Sequence, residues 1–334
     1  MGFKVAVVGA TGLVGGEFLK ILEQRNFPVD ELMLYASDRS AGKKLSFKGD
    51  SIEVIETVDS SFNNIDIALF SAGSDVSKYF SPIAAKAGAV VIDNSSAFRM
   101  DNEVPLVVPE VNPEDIRLNK GIIANPNCST IQMVVALNPI HKISPVQRIV
   151  VSTYQAVSGT GSNAVEELRN QTSDLISGEK EINPAVYPHQ IAFNALPFVE
   201  GFLDNDYTTE EWKMVEETRK IMHQDSMANC ATCVRDPVYF GHGESVNIEL
   251  ESPMNPEDAK RILSNAPGVS LLANPSKDIY PLPIEAEGQD DVFVGRIRKD
   301  ESHPNGLVMW VVADNIRKGA ALNTIQIAEK MLGH

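Results

Sequence analysis

A cysteine at the opening of an apolar stretch is the first residue of this chain to suggest covalent chemistry. Cys128 stands in Asn125-Pro126-Asn127-Cys128-Ser129-Thr130, after a candidate strand and before the apolar helix Ile131 to Leu137. At a helix N-terminus a thiol feels the positive end of the macrodipole, which lowers its pKa and raises the fraction present as thiolate. A thiolate that attacks an aldehyde forms a thiohemiacetal, whose hydride can pass to a nicotinamide only if a base removes the hydroxyl proton. Isolated cysteines are more often small packing residues, so a base and a hydride acceptor must accompany Cys128 for it to be a nucleophile.

Six histidines are available as the base. His242 lies in Phe240-Gly241-His242-Gly243, a glycine-flanked turn between two candidate strands, and is the best placed. His189, in a Tyr-Pro-His-Gln loop, is its strongest competitor. His141 follows a helix, His223 lies late in one, and His303 and His334 fall in a polar loop and at the terminus.

The hydride acceptor has its own signature. Gly9-Ala10-Thr11-Gly12-Leu13-Val14-Gly15 directly follows the first candidate strand and opens a helix. Glycines there permit a tight turn and let backbone amides approach a pyrophosphate, which the helix N-terminus also favours. The expected dinucleotide contacts are Gly9, Thr11, Gly12, Leu13 and Val14. After the second strand come Ser37-Asp38-Arg39-Ser40. Arg39 with Ser37 and Ser40 can hold a 2′-phosphate by a charge-assisted fork plus hydroxyl donors, which favours NADP, whereas Asp38 leaves room for NAD.

Cys230 and Cys233 have C-x-x-C spacing without a second ligand pair, so zinc is not expected. On a strand they face opposite sides and are expected to be packing residues. No metal site is implied.

These residues need a scaffold of two domains, the usual number for 334 residues. Residues 1–127 alternate short apolar strands (Lys4 to Val8, Leu32 to Tyr35, Ile65 to Phe70, Val90 to Ile92, Gly121 to Ala124) with helices at Val14 to Arg25 and Val76 to Ala87. That is the rhythm of a Rossmann-type parallel sheet. From about Gln147 the strands lengthen: Arg148 to Ala156, Cys230 to Tyr239, Ser245 to Ser252, Val292 to Arg298 and Leu307 to Ala313. Helices at Asn163 to Ser177, Thr209 to His223 and Pro256 to Ser264 separate them, which suits a second α+β domain with a mixed sheet. The stretch Lys318 to Leu332 has helical spacing and is expected to return to the first domain, giving 1–127 plus 318–334 and 128–317.

Composition excludes several partners. With 29 basic and 45 acidic residues the formal charge is −16, which disfavours nucleic acid. No run of about 18 apolar residues could span a bilayer, and no secretory signal is apparent. A cytoplasmic protein with reduced cysteines and a small-molecule substrate is expected.

Taken in order, GATGLVG, ASDRSAGK, DNSSAFRMD, NPNCST, TYQAVSGTG and DNIRKGAALNTIQIAE resemble the successive motifs of aspartate-semialdehyde dehydrogenases over almost the whole chain. The resemblance implies NADPH-dependent reductive dephosphorylation of β-aspartyl phosphate to the semialdehyde, reversibly, in the synthesis of lysine, threonine and methionine. It implies Cys128 as nucleophile, Gln155 orienting the acyl intermediate and His242 as general acid/base. Arg235 would grip the substrate carboxylate and Glu210 its amino group, Arg99 and Lys213 would bind inorganic phosphate, and Asn315 would lie near the nicotinamide. A homodimer or dimer of dimers is implied as well. Without the resemblance, Glu210 and Lys213 read as a solvated i, i+3 pair on a helix.

The chain departs from that pattern at Asp236, after the arginine, and at Gly243, where a serine is expected. An acidic neighbour either weakens Arg235 or points away from it on a strand of period 2. Two alternatives follow: an N-acyl-glutamyl-phosphate reductase-like phosphorylating dehydrogenase, or a nucleotide-binding relative without catalysis.

Overall fold

The computed structural model describes residues 2–179 and 181–333; His334 lies outside them. Residues Met1–Asn127 with Ala320–His334 form one unit, and Cys128–Gly319 forms the other.

In chain order the first unit contains β1 (Phe3–Val8), α1 (Leu13–Gln24), β2 (Val29–Ala36), β3 (Lys44–Phe47), β4 (Asp50–Glu56), β5 (Ile67–Phe70), α2 (Ser74–Lys86), β6 (Val90–Asp93) and β7 (Ile122–Ala124). The second contains α3 (Cys128–His141), β8 (Val146–Gln155), α4 (Ser162–Ser177), α5 (Thr209–Met222), β9 (Ala228–Arg235), β10 (His242–Leu250), α6 (Pro256–Leu263), β11 (Val269–Leu271), α7 (Pro283–Ala286), β12 (Val292–Lys299) and β13 (Gly306–Ala313). Then α8 (Leu322–Met331) rejoins the first unit.

The first unit's sheet runs β3-β4-β2-β1-β5-β6-β7 and is parallel apart from the β3–β4 pair. Its central strand is buried on both faces, as parallel strands usually are. Val5 and Val7 pack into a cluster with Phe18 and Leu22 of α1 and Leu322 and Ile325 of α8. Ala6 and Val8 point into a second cluster with Phe62, Phe70 and Ala84 of α2. The β3–β4 hairpin was not expected. Its turn, Lys48-Gly49, has positive φ at both residues, which matches the twist of a tight hairpin, but the strands are short and mostly exposed, so they carry little apolar signal.

The second unit's sheet runs β11-β12-β13-β10-β8-β9. It is mixed, since β8–β9 and β11–β12 are parallel while β10 is antiparallel to both neighbours. Helix α3 packs against this sheet and against α5 and α6, so almost every one of its residues is buried and it has no polar stripe. On the sheet's other side Ser152, Ser245, Asn247, Val308 and Trp310 are partly open and Tyr154 is 40% exposed. Strand β9 ends at Arg235, earlier than the expected Tyr239. Among the described residues no helix is long and apolar enough to cross a membrane.

Candidate active site

Cys128 is the first residue of α3 and is partly accessible. Gly319 packs on it so closely that a Cβ there would lie 2.8 Å from the Cys128 Cβ. The next residue, Ser129, accepts a hydrogen bond of 2.6 Å from Gln155 Nε2. Gln155 ends β8 and pairs in register with Arg235, the last residue of β9, while His242 opens β10, the neighbour of β8 on the other side. The ends of three adjacent strands thus place Gln155, Arg235 and His242 together, at the end of the sheet to which Gln155 ties the start of α3.

All three are buried, and each keeps a polar atom without a partner: Gln155 Oε1, Arg235 Nε and His242 Nε2. Buried polar atoms are normally paired, so three orphans at one strand end mark a place built for a ligand. Arg235 is anchored by Nη1 donating to the Ala156 carbonyl at 2.6 Å. His242 Nδ1 accepts from the Ala156 amide at 3.0 Å, so Nε2 is the nitrogen left to exchange a proton. Burial, helped by the nearby Arg235 guanidinium, lowers the imidazole pKa to about 3. Gly159 lies over both groups, and a Cβ there would sit 3.0 Å from Arg235 Nη1 and 3.3 Å from His242 Nε2. His189, the competing base, is exposed.

Glu210 joins this group from α5. Thr208 caps that helix in a reciprocal pair with Glu211, which fixes where its first turn begins. Glu210 is 4% exposed and its Oε1 accepts from Gln155 Nε2 at 3.1 Å. Lys213 reaches Glu210 Oε2 at 3.3 Å and also bonds Glu200. The pair is therefore no solvated ornament of the helix, which corrects what i, i+3 spacing suggests. Asn315 is buried, bonded to Ser158 and accepting from the Gly241 amide at 2.9 Å, so it fixes the turn that leads into His242.

The two departures from the family motif have separate outcomes. Asp236 lies just past the end of β9, its carboxyl pKa is raised by burial alone, and its amide donates to the Gln155 carbonyl. It does not oppose Arg235. Gly243 has no room for a side chain, because a Cβ would come within 2.6 Å of the Trp310 ring. The two other cysteines do face opposite sides: Cys233 is buried with its thiol pKa pushed up by burial, but Cys230 is exposed beside Tyr207, so only Cys233 is a packing residue.

In the first unit the three motif glycines have distinct reasons. Gly9 has φ +87° and would meet the Ser71 carbonyl at 2.3 Å with any Cβ; Gly15 would meet the Gly9 carbonyl at 2.2 Å. Gly12 precedes α1 without any side-chain cap, and Thr11 and Gly12 are exposed, with Leu13 and Val14 partly so. The helix start is thus an open, uncapped positive end that suits a pyrophosphate. Ser37 and Arg39 are exposed, and Ser40 accepts a hydrogen bond of 3.3 Å from Thr11, which brings the two loops together. Arg99 is buried and donates to the Asn125 and Asn94 carbonyls, near the end of β6 where Asp93 accepts from Ser77 and Ser95.

Sequence reasoning assigned no role to Gly159, Gly319 or Asp93. The first two are visible only as glycines inside the quoted motifs, and what they approach is a matter of tertiary structure.

Two family models match the chain, the semialdehyde dehydrogenase NAD binding domain over residues 4–119 and the semialdehyde dehydrogenase dimerisation domain over 137–318. An aspartate-semialdehyde dehydrogenase of Aquifex aeolicus is 60% identical over 99% of this chain and 98% of its own length. One from Bacillus subtilis is 54% identical over 99% and 97%. The crystal structure of aspartate semialdehyde dehydrogenase II from Vibrio cholerae, complexed with ASA, aligns at TM-score 0.96 and 48% identity, covering 100% of this chain and 99% of that one. The Candida albicans enzyme with NADP aligns at TM-score 0.76 and 26% identity, with 99% of each covered. With its fold, its two domain models and relatives of this identity along the whole length, the chain belongs to the semialdehyde dehydrogenase family, among the aspartate-semialdehyde dehydrogenases.

Proposed function

We propose that the protein reduces β-aspartyl phosphate to aspartate semialdehyde with NADPH, reversibly, as a step in the synthesis of the aspartate-derived amino acids lysine, threonine and methionine. The observation that carries this is the cluster of unpartnered buried atoms on Gln155, Arg235 and His242, tied to the start of the Cys128 helix.

The chemistry follows from those residues. The Cys128 thiolate, favoured at the positive end of α3, attacks the acyl carbon; the C–O bond to phosphate breaks and a thioester remains on Cys128. NADPH, when bound, supplies the hydride. Gln155 orients the thioester carbonyl, and His242 exchanges a proton through Nε2 with the oxygen of the thiohemiacetal before the C–S bond breaks to free the aldehyde. Arg235 offers a planar fork to the substrate carboxylate, and Glu210 takes the ammonium group. Arg99 and Lys213 would take the phosphate, and Asn315 would lie beside the nicotinamide while holding the turn before His242.

The residues present fit a dinucleotide: an uncapped helix start, a glycine turn that any Cβ would close, exposed Ser37 and Arg39, and half-buried Ser40. Those three support NADP over NAD. A homodimer is proposed through the half-open side of the second sheet, around Tyr154 and Trp310, whose rings lie 5.4 Å apart; the dimerisation-domain match supports it.

The test is NADPH formation from NADP when aspartate semialdehyde and inorganic phosphate are both supplied. Cys128→Ser should abolish turnover yet still bind NADP, because a neutral hydroxyl is a poor nucleophile. Substantial residual turnover in that variant would refute the thioester route.

A further inference from the structure

Directly behind the proposed catalytic row, on the same side of the sheet, lies a second row that the reaction above does not use. Glu244 is two residues beyond His242 on β10 and pairs across the strands with Thr153 of β8, which in turn pairs with Cys233 of β9. All three are fully buried. From above, α3 contributes Gln132, one helical turn after Cys128 and so on the same side of the helix. Gln132 Nε2 donates to the His242 carbonyl at 3.2 Å, and its side chain lies against the Glu244 carboxyl.

Several polar atoms of this row lack a partner. Both Glu244 oxygens, Gln132 Oε1 and Thr153 Oγ1 are buried with no hydrogen-bond partner. Among these four oxygens only the Thr153 hydroxyl carries a proton, and an ionised carboxylate without a partner is among the costliest groups to bury. A proton on Glu244 removes the charge and provides a donor.

We propose that Glu244 is a positioning residue: as a neutral carboxylic acid it donates to the Gln132 side-chain carbonyl, and through Gln132 it fixes the helix that starts at Cys128 against the strand that starts at His242. This rests on the reading that Cys128 and His242 act in one reaction. The groups around the carboxyl agree with a neutral acid. Cys233 faces it from β9, and that thiol in turn faces Glu210 and Glu211 of α5. Val311 of β13 is apolar, and His242, on the same strand, is held neutral. Arg235 lies in the neighbouring row and has no part in the carboxyl's balance, where burial dominates and raises its pKa well above 4.5 against a lesser effect of Gln132.

Two variants separate the possibilities. Glu244→Gln replaces the acid with a neutral donor of the same shape, whereas Glu244→Leu removes the donor. With aspartate semialdehyde, phosphate and NADP, the Gln variant should keep kcat within about threefold, and the Leu variant should lose about tenfold or more in kcat with KM changed less, since small displacements of reacting groups cost rate. Melting temperature against pH gives an independent readout. The unfolded chain releases the Glu244 proton near 4.5 and the folded chain holds it to higher pH, so wild-type stability falls as pH rises above 4.5. The Gln variant lacks that loss, so its melting temperature should exceed the wild type's by a margin that widens with pH. Equal loss of kcat in both variants, full kcat in the Leu variant, or a pH-independent margin would each overturn the proposal. A wild type inactive on the semialdehyde would refute the thioester reaction instead, and the melting series, which needs no turnover, would still decide the state of Glu244.

Discussion

His242 and Arg235 lie side by side, yet replacing them should fail in different ways. If Nε2 moves the proton of the thiohemiacetal, His242→Asn lowers kcat by roughly 10²- to 10⁴-fold with a smaller change in KM. Arg235→Lys removes a bidentate fork and mainly raises KM. Steady-state kinetics distinguish the two patterns, and a His242 variant with near-normal kcat would remove it from the mechanism. The depressed imidazole pKa also has a stability consequence. An unfolded histidine binds a proton below 6.5, whereas this one resists protonation until about 3. Stability is therefore lost as pH falls through that window, and His242→Asn should lessen the loss between pH 6.5 and 3 in thermal melts. At the nucleotide end, Arg39→Ala should weaken NADP by about 1 to 3 kcal/mol and leave NAD nearly unchanged. Calorimetric titration with both cofactors checks it; equal weakening would mean that Arg39 does not read the 2′-phosphate.

At the scale of elements, β10 shows how neighbouring strands restrict a site from behind. Gly243 lies between His242 and Glu244, and its missing side chain is the space that Trp310 of β13 occupies. Gly243→Ser should cost about 1 to 3 kcal/mol of stability by overpacking, and lower kcat by displacing His242; Trp310→Leu in the same chain should restore part of both. Denaturant unfolding of the single and double variants measures the coupling, and additive losses would show that the ring is not the obstacle. The sequence could reveal the cysteine, the glycine turn and the alternation of strands and helices, because each has a local pattern. It also indicated His242 through its flanking glycines. It could not show that Glu210 is buried, since i, i+3 spacing describes a solvated pair equally well. Nor could it show that Gly159 presses on Arg235 and His242 and Gly319 on Cys128, because those contacts join residues 76 to 191 positions apart. The β3–β4 hairpin escaped notice for want of an apolar face.

At the scale of the whole molecule, the second sheet is covered by helices on one side and left half open on the other, with Tyr154 and Trp310 in contact there. A half-open surface that carries an aromatic pair suits a second copy of the chain. Introducing charge, as in Ser152→Arg, should shift the protein from dimer to monomer by sedimentation while leaving the circular dichroism spectrum unchanged. A dimer that survives this change would use another surface.

The return of α8 to the first unit has a consequence for biosynthesis. Cys128–Gly319 is one continuous stretch and needs no residue outside itself to complete its fold. The unit translated first must wait, because Leu322, Ile325 and Ile327 belong to the cluster that covers Val5, Val7 and Phe18. The nucleotide-binding half is thus begun first yet cannot close without α8, and until α8 emerges its nascent apolar face is the surface that a chaperone would meet.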